Sequence, residues 1–561
     1  MARKIFNWVG LYPNLRSRGS SQRLGSLIIL CLLFLHCTNR FTNAAATAEP
    51  TCNDNELSCQ NKQLTDYLII GAGGSGIQTA LLLKKHGHTF RILEKASTAG
   101  SFWTRFPRFQ ELISVNKHVR NETQRYRYDW HSFLESQLGM WDVSRSYYPN
   151  GQEWHEYMNL VVEREGIDVE YGMEVARLDE DGKPCVYLVD GSAVCARYRV
   201  FVGTGLVEKD ERYLRAMGGV RYSDVTLEMA EGKRVCILGN GNAGFEAAQN
   251  IFPVANRVIV VGKRPTRLSS LTKYTGDVRV KFLTTLENFH GKLLDTVVHE
   301  NLEAHWLTLL KTNPMLQTPG LYGSQLKELG KVLSAATYVA QYQCELLILM
   351  VVFARGLLFG FISLIRQRNV IVISRTRYWQ RGSVSSVPGK RLKKRFPSYG
   401  DLYAAADNPS ISYVGWLMHA NDFQRGAGGF LSGYRYLIRN LIHHAREIDH
   451  GIPYPYLVFN KQQALDHAVR RIQVADDLVV LQDGVVVRDA IVPMESGEFH
   501  YYEGVTYKFF QEFMQRQDII YLYFAWGDGR NAATVFDNVY EYNDTRKLRN
   551  IYLHPMVEVN G

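Results

Sequence analysis

The stretch from Tyr67 to Lys95, YLIIGAGGSGIQTALLLKKHGHTFRILEK, constrains the fold of this chain more than any other. Tyr67–Ile70 is a short apolar run that reads as a buried strand. It breaks into Gly71-Ala72-Gly73-Gly74-Ser75-Gly76 and continues as Ile77–Lys85 with apolar residues at helical spacing. A second strand, Thr89–Leu93, ends on Glu94 and Lys95. In a strand–turn–helix of this kind Gly71 makes the tight turn. Gly73 lets the backbone approach a diphosphate, with Gly74 and Ser75 beside it, and Gly76 lets helix and strand pack closely. The helix start then offers unpaired N–H groups to the diphosphate. Glu94, about 20 residues past the glycines, is placed to accept hydrogen bonds from an adenosine ribose.

A second copy follows. Arg234–Leu238 leads into Gly239, Gly241 and Gly244, with a helix expected over Asn242–Ile251. The next strand, Arg257–Val261, ends on Gly262-Lys263-Arg264 and not on an acid. Cations at that strand end accommodate a ribose 2′-phosphate, so Lys263 and Arg264 point to NADPH over NADH.

Between the copies, Val169–Val202 reads as short strands around Asp181-Gly182 and Asp190-Gly191 turns, closing on Gly203-Thr204-Gly205. This is how flavoproteins with two dinucleotide domains complete the first half of an FAD site, and Thr204 and Gly205 are placed in it. From Tyr413 the chain reads YVGWLMHANDFQRGAGGFLSGYRYLIRNLIHH. An apolar strand, an acid (Asp422), a glycine-rich turn containing Gly428, and a helix together suit contacts to a flavin. The expected fold is α/β, with two Rossmann-like dinucleotide-binding domains, the FAD domain discontinuous, and a C-terminal α/β extension. The divisions are 65–210 and 396–450 for FAD, 211–344 for NAD(P)H and 451–561 for the extension.

Charge must be located before it is interpreted. The net charge is +10, but residues 1–48 carry six Lys/Arg and residues 366–395 ten, neither with an acid, leaving the remainder at −6. Two basic segments are not a binding face, so no nucleic acid is expected. The first segment has a basic start, an apolar core Leu27–Leu35 and small residues at Ala44–Ala48. It reads as a secretory signal peptide, with a lumenal leader at 49–64, the alternative being an uncleaved type II anchor. Sequons at Asn121 and Asn543 suit a lumenal glycoprotein. Eight cysteines include no C-x-x-C, so no internal dithiol relay and no metal site are expected. Cys185 and Cys195 flank the Asp190-Gly191 turn, opposite each other with a three-residue loop and offset with a two-residue one.

Residues 345–395 are atypical. Leu346–Ile365 is long enough to span a bilayer. Arg355 near its centre costs roughly 2.5–3.5 kcal/mol on insertion. A span would also divide one flavin site across a membrane. The expectation is therefore a buried helix or a strand–helix insertion, with Asn369–Ile373 as a returning strand.

The stretches IIGAGGSGIQTALLLKKHGH, FPRFQELISVNKH, LGNGNAGFEAA, TKYTGDVR, HANDFQRGAGGFLSGYRY and WGDGRNAATVFDNVYE together resemble the FAD-dependent oxidoreductase domain-containing proteins of the endoplasmic reticulum. The resemblance implies an ER-lumenal flavoprotein acting in degradation of misfolded glycoproteins. Its implied partners are a J-domain disulfide reductase, a glycan-reading lectin and a ubiquitin-ligase adaptor. Three features depart from the family pattern. The chain ends Val559-Asn560-Gly561, without a Lys-Asp-Glu-Leu-like retrieval signal; residues 345–395 diverge; and Gly203 replaces a usual Ala. Flavin-containing monooxygenases are wider relatives. Asn116 falls where they carry an Asn near the flavin, and Trp103 lies in the same cofactor-facing stretch. Their F-x-G-x-x-x-H fingerprint is missing, since the chain there reads Gly218-Gly219-Val220-Arg221-Tyr222. Oxygenation of a soft nucleophile is thus the second reading, and a flavin-stabilised binding module without activity a third.

Overall fold

The computed structural model describes residues 64–205, 220–262, 297–301, 346–349, 396–526 and 553–559, a few short gaps apart. The signal segment, Lys263 and Arg264, the 350–395 stretch and Asn543 lie outside the described residues.

Two parallel sheets carry the molecule. The first has five strands in the order Ile411–Tyr413, Arg199–Val202, Tyr67–Ile70, Phe90–Glu94, Glu170–Tyr171, every pair parallel. Such a sheet is covered on both faces, so its central strands are continuously apolar rather than alternating. Tyr67 to Ile70 and Arg199 to Val202 are buried throughout. A strand from residue 411 beside one from residue 199 makes this domain discontinuous in sequence. A three-stranded antiparallel meander, residues 175–178, 185–188 and 193–195, is inserted before it closes. Cys185 and Cys195 face each other in register and form a disulfide. Leu188 N–H donates to Ser192 O across the turn, and Gly191 takes φ +86°, so the three-residue loop is the one realised.

The second sheet is four-stranded and parallel, in the order Val297–Asn301, Arg257–Gly262, Arg234–Leu238, Leu346–Leu349. Leu346–Leu349 pairs with Val235–Leu238, which corrects the start of the atypical insertion from 345 to beyond 349. A short apolar run is compatible with strand, buried helix or membrane segment alike, and here it pairs as the edge strand of the sheet. Among the described residues no helix is long and apolar enough to cross a membrane.

The C-terminal extension is a five-stranded antiparallel sheet, order 457–459, 499–506, 487–493, 520–526, 553–559. The apolar run Leu478–Leu481 lies in a short helix, Asp477–Leu481. Short apolar runs are ambiguous between strand and helix, and Asp477 accepts the Leu478 N–H, opening a helical turn.

Candidate functional site

Helix α1 (Gly74–Lys85) follows the strand 67–70, and Gly71 turns the chain with φ +96°. The second copy repeats this: Gly239 has φ +131°, then helix α3 (Asn242–Ile251) begins; α2 (Gly151–Arg164) lies between them in sequence. The close approach is equally matched. A Cβ on Gly76 would lie 1.9 Å from Gly71 O, and one on Gly244 would lie 2.0 Å from Gly239 O. At Gly73, by contrast, a Cβ would meet nothing within 4 Å. The turn is crowded where helix meets strand and open where a ligand would approach.

Three strand ends converge on this turn. A Cβ on Gly71 would stand 2.9 Å from Gly203 O, one on Gly203 3.0 Å from Ser75 Oγ, and one on Gly415 2.5 Å from Ser75 Cβ. The carboxyl ends of strands 67–70, 199–202 and 411–413 thus meet around Ser75. That edge of a parallel α/β sheet is where ligands bind. It also accounts for Gly203 in place of alanine, because Ser75 occupies the space a methyl would need.

A second helix start reaches the same place. Helix α4 (Leu431–His450) lies along α1: a Cβ on Gly74 would touch the Tyr434 hydroxyl at 2.6 Å, and the His86 and His443 rings are 5.5 Å apart. Early residues face early and late face late, so the helices run parallel with both N-termini at one end. The positive ends of both helix dipoles are therefore presented together.

The caps separate these helices from the others. Starts α1, α3 and α4 have Gly73, Gly241 and Phe430 at the N-cap, no side-chain cap and no acid in the first turn. Helix α2 is closed by an Asn150–Glu153 capping box, and α5 (Lys461–Val474) by Asn460 with Gln463. A side-chain cap satisfies the free N–H groups of a first turn. Where it is missing beside a glycine turn, an anionic ligand suits the site, and an FAD diphosphate fits it.

Glu94 and Asp422 both accept hydrogen bonds from the chain itself. Glu94 is buried; its carboxylate accepts the Ala72 N–H at 2.7 Å and the Ala96 N–H at 2.9 Å. It braces the glycine turn, and any ribose contact uses the remaining lone pairs. Asp422 is 1% exposed, its oxygens held by His419 Nδ1 at 2.7 Å and the Gly428 N–H at 2.7 Å. These bonds brace the 426–429 turn beneath which the carboxylate sits. Lys95 and Thr204 are exposed at the rim, and Gly205 has φ +64°. Trp103 is half-buried against Trp154, in a turn tied to the site by the Gly100 N–H to Ala72 O bond.

Asn116 is buried. Its backbone N–H donates to Tyr147 O and its Nδ2 to Ser144 O, both at 2.8 Å, while Oδ1 has no partner among the described residues. A buried polar atom held in place yet unpaired fits a group that meets a cofactor edge.

One residue escaped the sequence reading. Glu246, on α3, accepts the Phe109 N–H at 3.0 Å and the Tyr222 hydroxyl. Gln249 and Asn250 on the same helix donate to Glu111 at 3.3 and 3.0 Å. Phe106 is buried in the core of the second domain with Tyr222, Val225 and Phe245. The second glycine helix thus grips residues 106–111 of the first domain. Burial pushes the Glu246 carboxyl up to about 7. The available signal was an acid inside the otherwise apolar run Phe245–Ala248.

Residues 68–306 match the family described as pyridine nucleotide-disulphide oxidoreductase. Over 458 residues the chain is 28% identical to FAD-dependent oxidoreductase domain-containing protein 2 of Mus musculus, covering 77% of this chain and 65% of that one. In sequence the chain is similar to proteins named for an FAD-dependent oxidoreductase domain. The Danio rerio protein of the same name is 28% identical over 455 residues, covering 75% of this chain and 64% of its own. The chain therefore spans a little under two thirds of the length of these curated relatives. A flavin-containing monooxygenase structure from Stenotrophomonas maltophilia is 17% identical, covering 69% of this chain and 100% of that one, with a TM-score of 0.42.

Proposed function

We propose that this chain is an FAD- and NADPH-dependent oxidoreductase of the endoplasmic reticulum lumen that passes electrons to a partner disulfide or to dioxygen. The observation that carries the reading is the pair of matched glycine turns, Gly71/Gly76 and Gly239/Gly244, each opening a helix without a side-chain cap. When bound, FAD accepts hydride from a nicotinamide and yields the electrons to an acceptor. The chain's own residues hold and orient. The uncapped starts of α1 and α4 face the anionic part of the flavin nucleotide, and Glu94 stiffens the first turn. Asn116 presents Oδ1, and Glu246 keeps the second glycine helix against residues 106–111.

The Cys185–Cys195 disulfide supports an oxidising compartment, since such bonds persist in the secretory pathway. The degradation role, with a J-domain disulfide reductase, a glycan-reading lectin and a ubiquitin-ligase adaptor as partners, rests on the family resemblance alone. Lys263 and Arg264 carry the preference for NADPH. With no C-x-x-C in the chain, the disulfide that is reduced belongs to another protein.

The test is to follow NADPH oxidation by purified protein under nitrogen and under air, with and without a disulfide substrate. Consumption that needs the disulfide supports the reading, as does consumption with dioxygen that yields peroxide. Oxygen uptake coupled to an oxygenated thioether or amine product would favour the monooxygenase reading instead. Bound flavin that neither coenzyme reduces would leave only a binding module.

A further inference from the structure

A cavity of about 530 Å³ opens between residues 104–110 of the first domain, the Arg221–Asp224 turn of the second, and Gln152 at the start of α2. Its wall holds three guanidinium groups, Arg105, Arg108 and Arg221, against one carboxylate, Asp224, with Phe106 the single apolar residue. Most small-molecule pockets are largely apolar with a few polar groups, so this lining is selective for charge. The Arg108 guanidinium is fixed by donation from Nε to Val225 O at 2.6 Å. Among the described residues its terminal nitrogens have no hydrogen-bond partner, and neither has the exposed Arg105. Arg221 pairs with Asp224 at 2.7 Å, but both side chains are open to solvent, 29% and 44% exposed. A solvent-exposed pair of that kind is weak and is readily exchanged for a better anion.

We infer that this cavity binds a phosphate-bearing anion across the seam between the two nucleotide domains. Three guanidinium groups against the single Asp224 carboxylate leave the cavity with an excess of positive charge, and the planar fork of Arg matches phosphate oxygens two at a time. The ligand is either the phosphates of the pyridine nucleotide or a separate phosphorylated molecule. The site does not use the glycine turns, so it stands independently of the flavin reading.

The test is calorimetric titration of the full chain as purified with inorganic pyrophosphate, at fixed ionic strength. Saturable binding is expected, weakened at least tenfold in the Arg105→Gln/Arg221→Gln variant. Asp224→Asn, which removes the competing carboxylate, tightens it severalfold. Repeating the titration with saturating NADPH separates the sources. Displacement assigns the cavity to the coenzyme's phosphates, and undiminished binding assigns it to a separate ligand. The inference is overturned if no saturable binding occurs, or if the double variant binds within twofold of the wild type. Both variants change exposed side chains, and their flavin content and melting temperature serve as folding controls.

Discussion

The Glu246 carboxylate receives the backbone N–H of Phe109 at 3.0 Å, so the helix after the second glycine turn is hydrogen-bonded to a loop that follows the first. Burial is the leading reason that its carboxyl stands at about 7, with Glu111 adding to it and the bonds from Tyr222 and Phe109 opposing. The folded value lies above that of the unfolded chain. The protonated group therefore contributes stability that is complete below the ordinary glutamate range and is lost as pH rises through 7. The size is at most about 3 kcal/mol. Urea midpoints from pH 5 to pH 8 should fall in the wild type, and Glu246→Gln should lose that part of the decline.

The two glycine turns predict separable losses. Gly76→Ala drives a methyl against Gly71 O, and Gly244→Ala does the same against Gly239 O, each overpacked by about 1–3 kcal/mol. The first should give a chain that purifies with little flavin. The second should retain flavin but lose reduction by NADPH. Absorbance spectra and coenzyme titrations of the two variants check this.

Gly73→Ala tests whether the open space is ligand space. Nothing in the chain meets that methyl within 4 Å, so the flavin-free protein should melt within a degree or two of the wild type. Flavin affinity should nevertheless fall about tenfold or more if the diphosphate backbone lies there, by reconstitution and fluorescence titration.

In the C-terminal extension, Arg471 donates to both oxygens of Asp489 and to Asp477, which Arg439 of α4 also reaches at 2.7 Å. Arg471→Met leaves two buried carboxylates short of a partner and should cost about 3–5 kcal/mol. Because Arg439 lies on the flavin-domain helix, the loss should appear in urea melts of the whole chain.

What was legible in the sequence is what local chemistry decides. The turns at Gly71 and Gly239 and the helix Asn242–Ile251 were readable because glycine placement and apolar spacing specify them within a few residues. Asp422 reads as a ligand contact because an acid before a glycine-rich turn is equally suited to the ligand and to the turn. Only the folded loop shows His419 and the Gly428 N–H taking both oxygens. The run Leu346–Leu349 was ambiguous because a short apolar run has the same hydropathy in a strand, a buried helix or a membrane segment. Glu246 was hidden because an acid in a helix usually faces water, and its partner Phe109 is 137 residues away.

The central claim is that two nucleotide-binding helix starts serve one electron transfer. The direct measurement is anaerobic stopped-flow absorbance of the flavin-loaded protein mixed with NADPH and, separately, with NADH. Saturable bleaching of the flavin band, faster with NADPH, is the predicted result. A protein that holds FAD and keeps its colour with either coenzyme would contradict it.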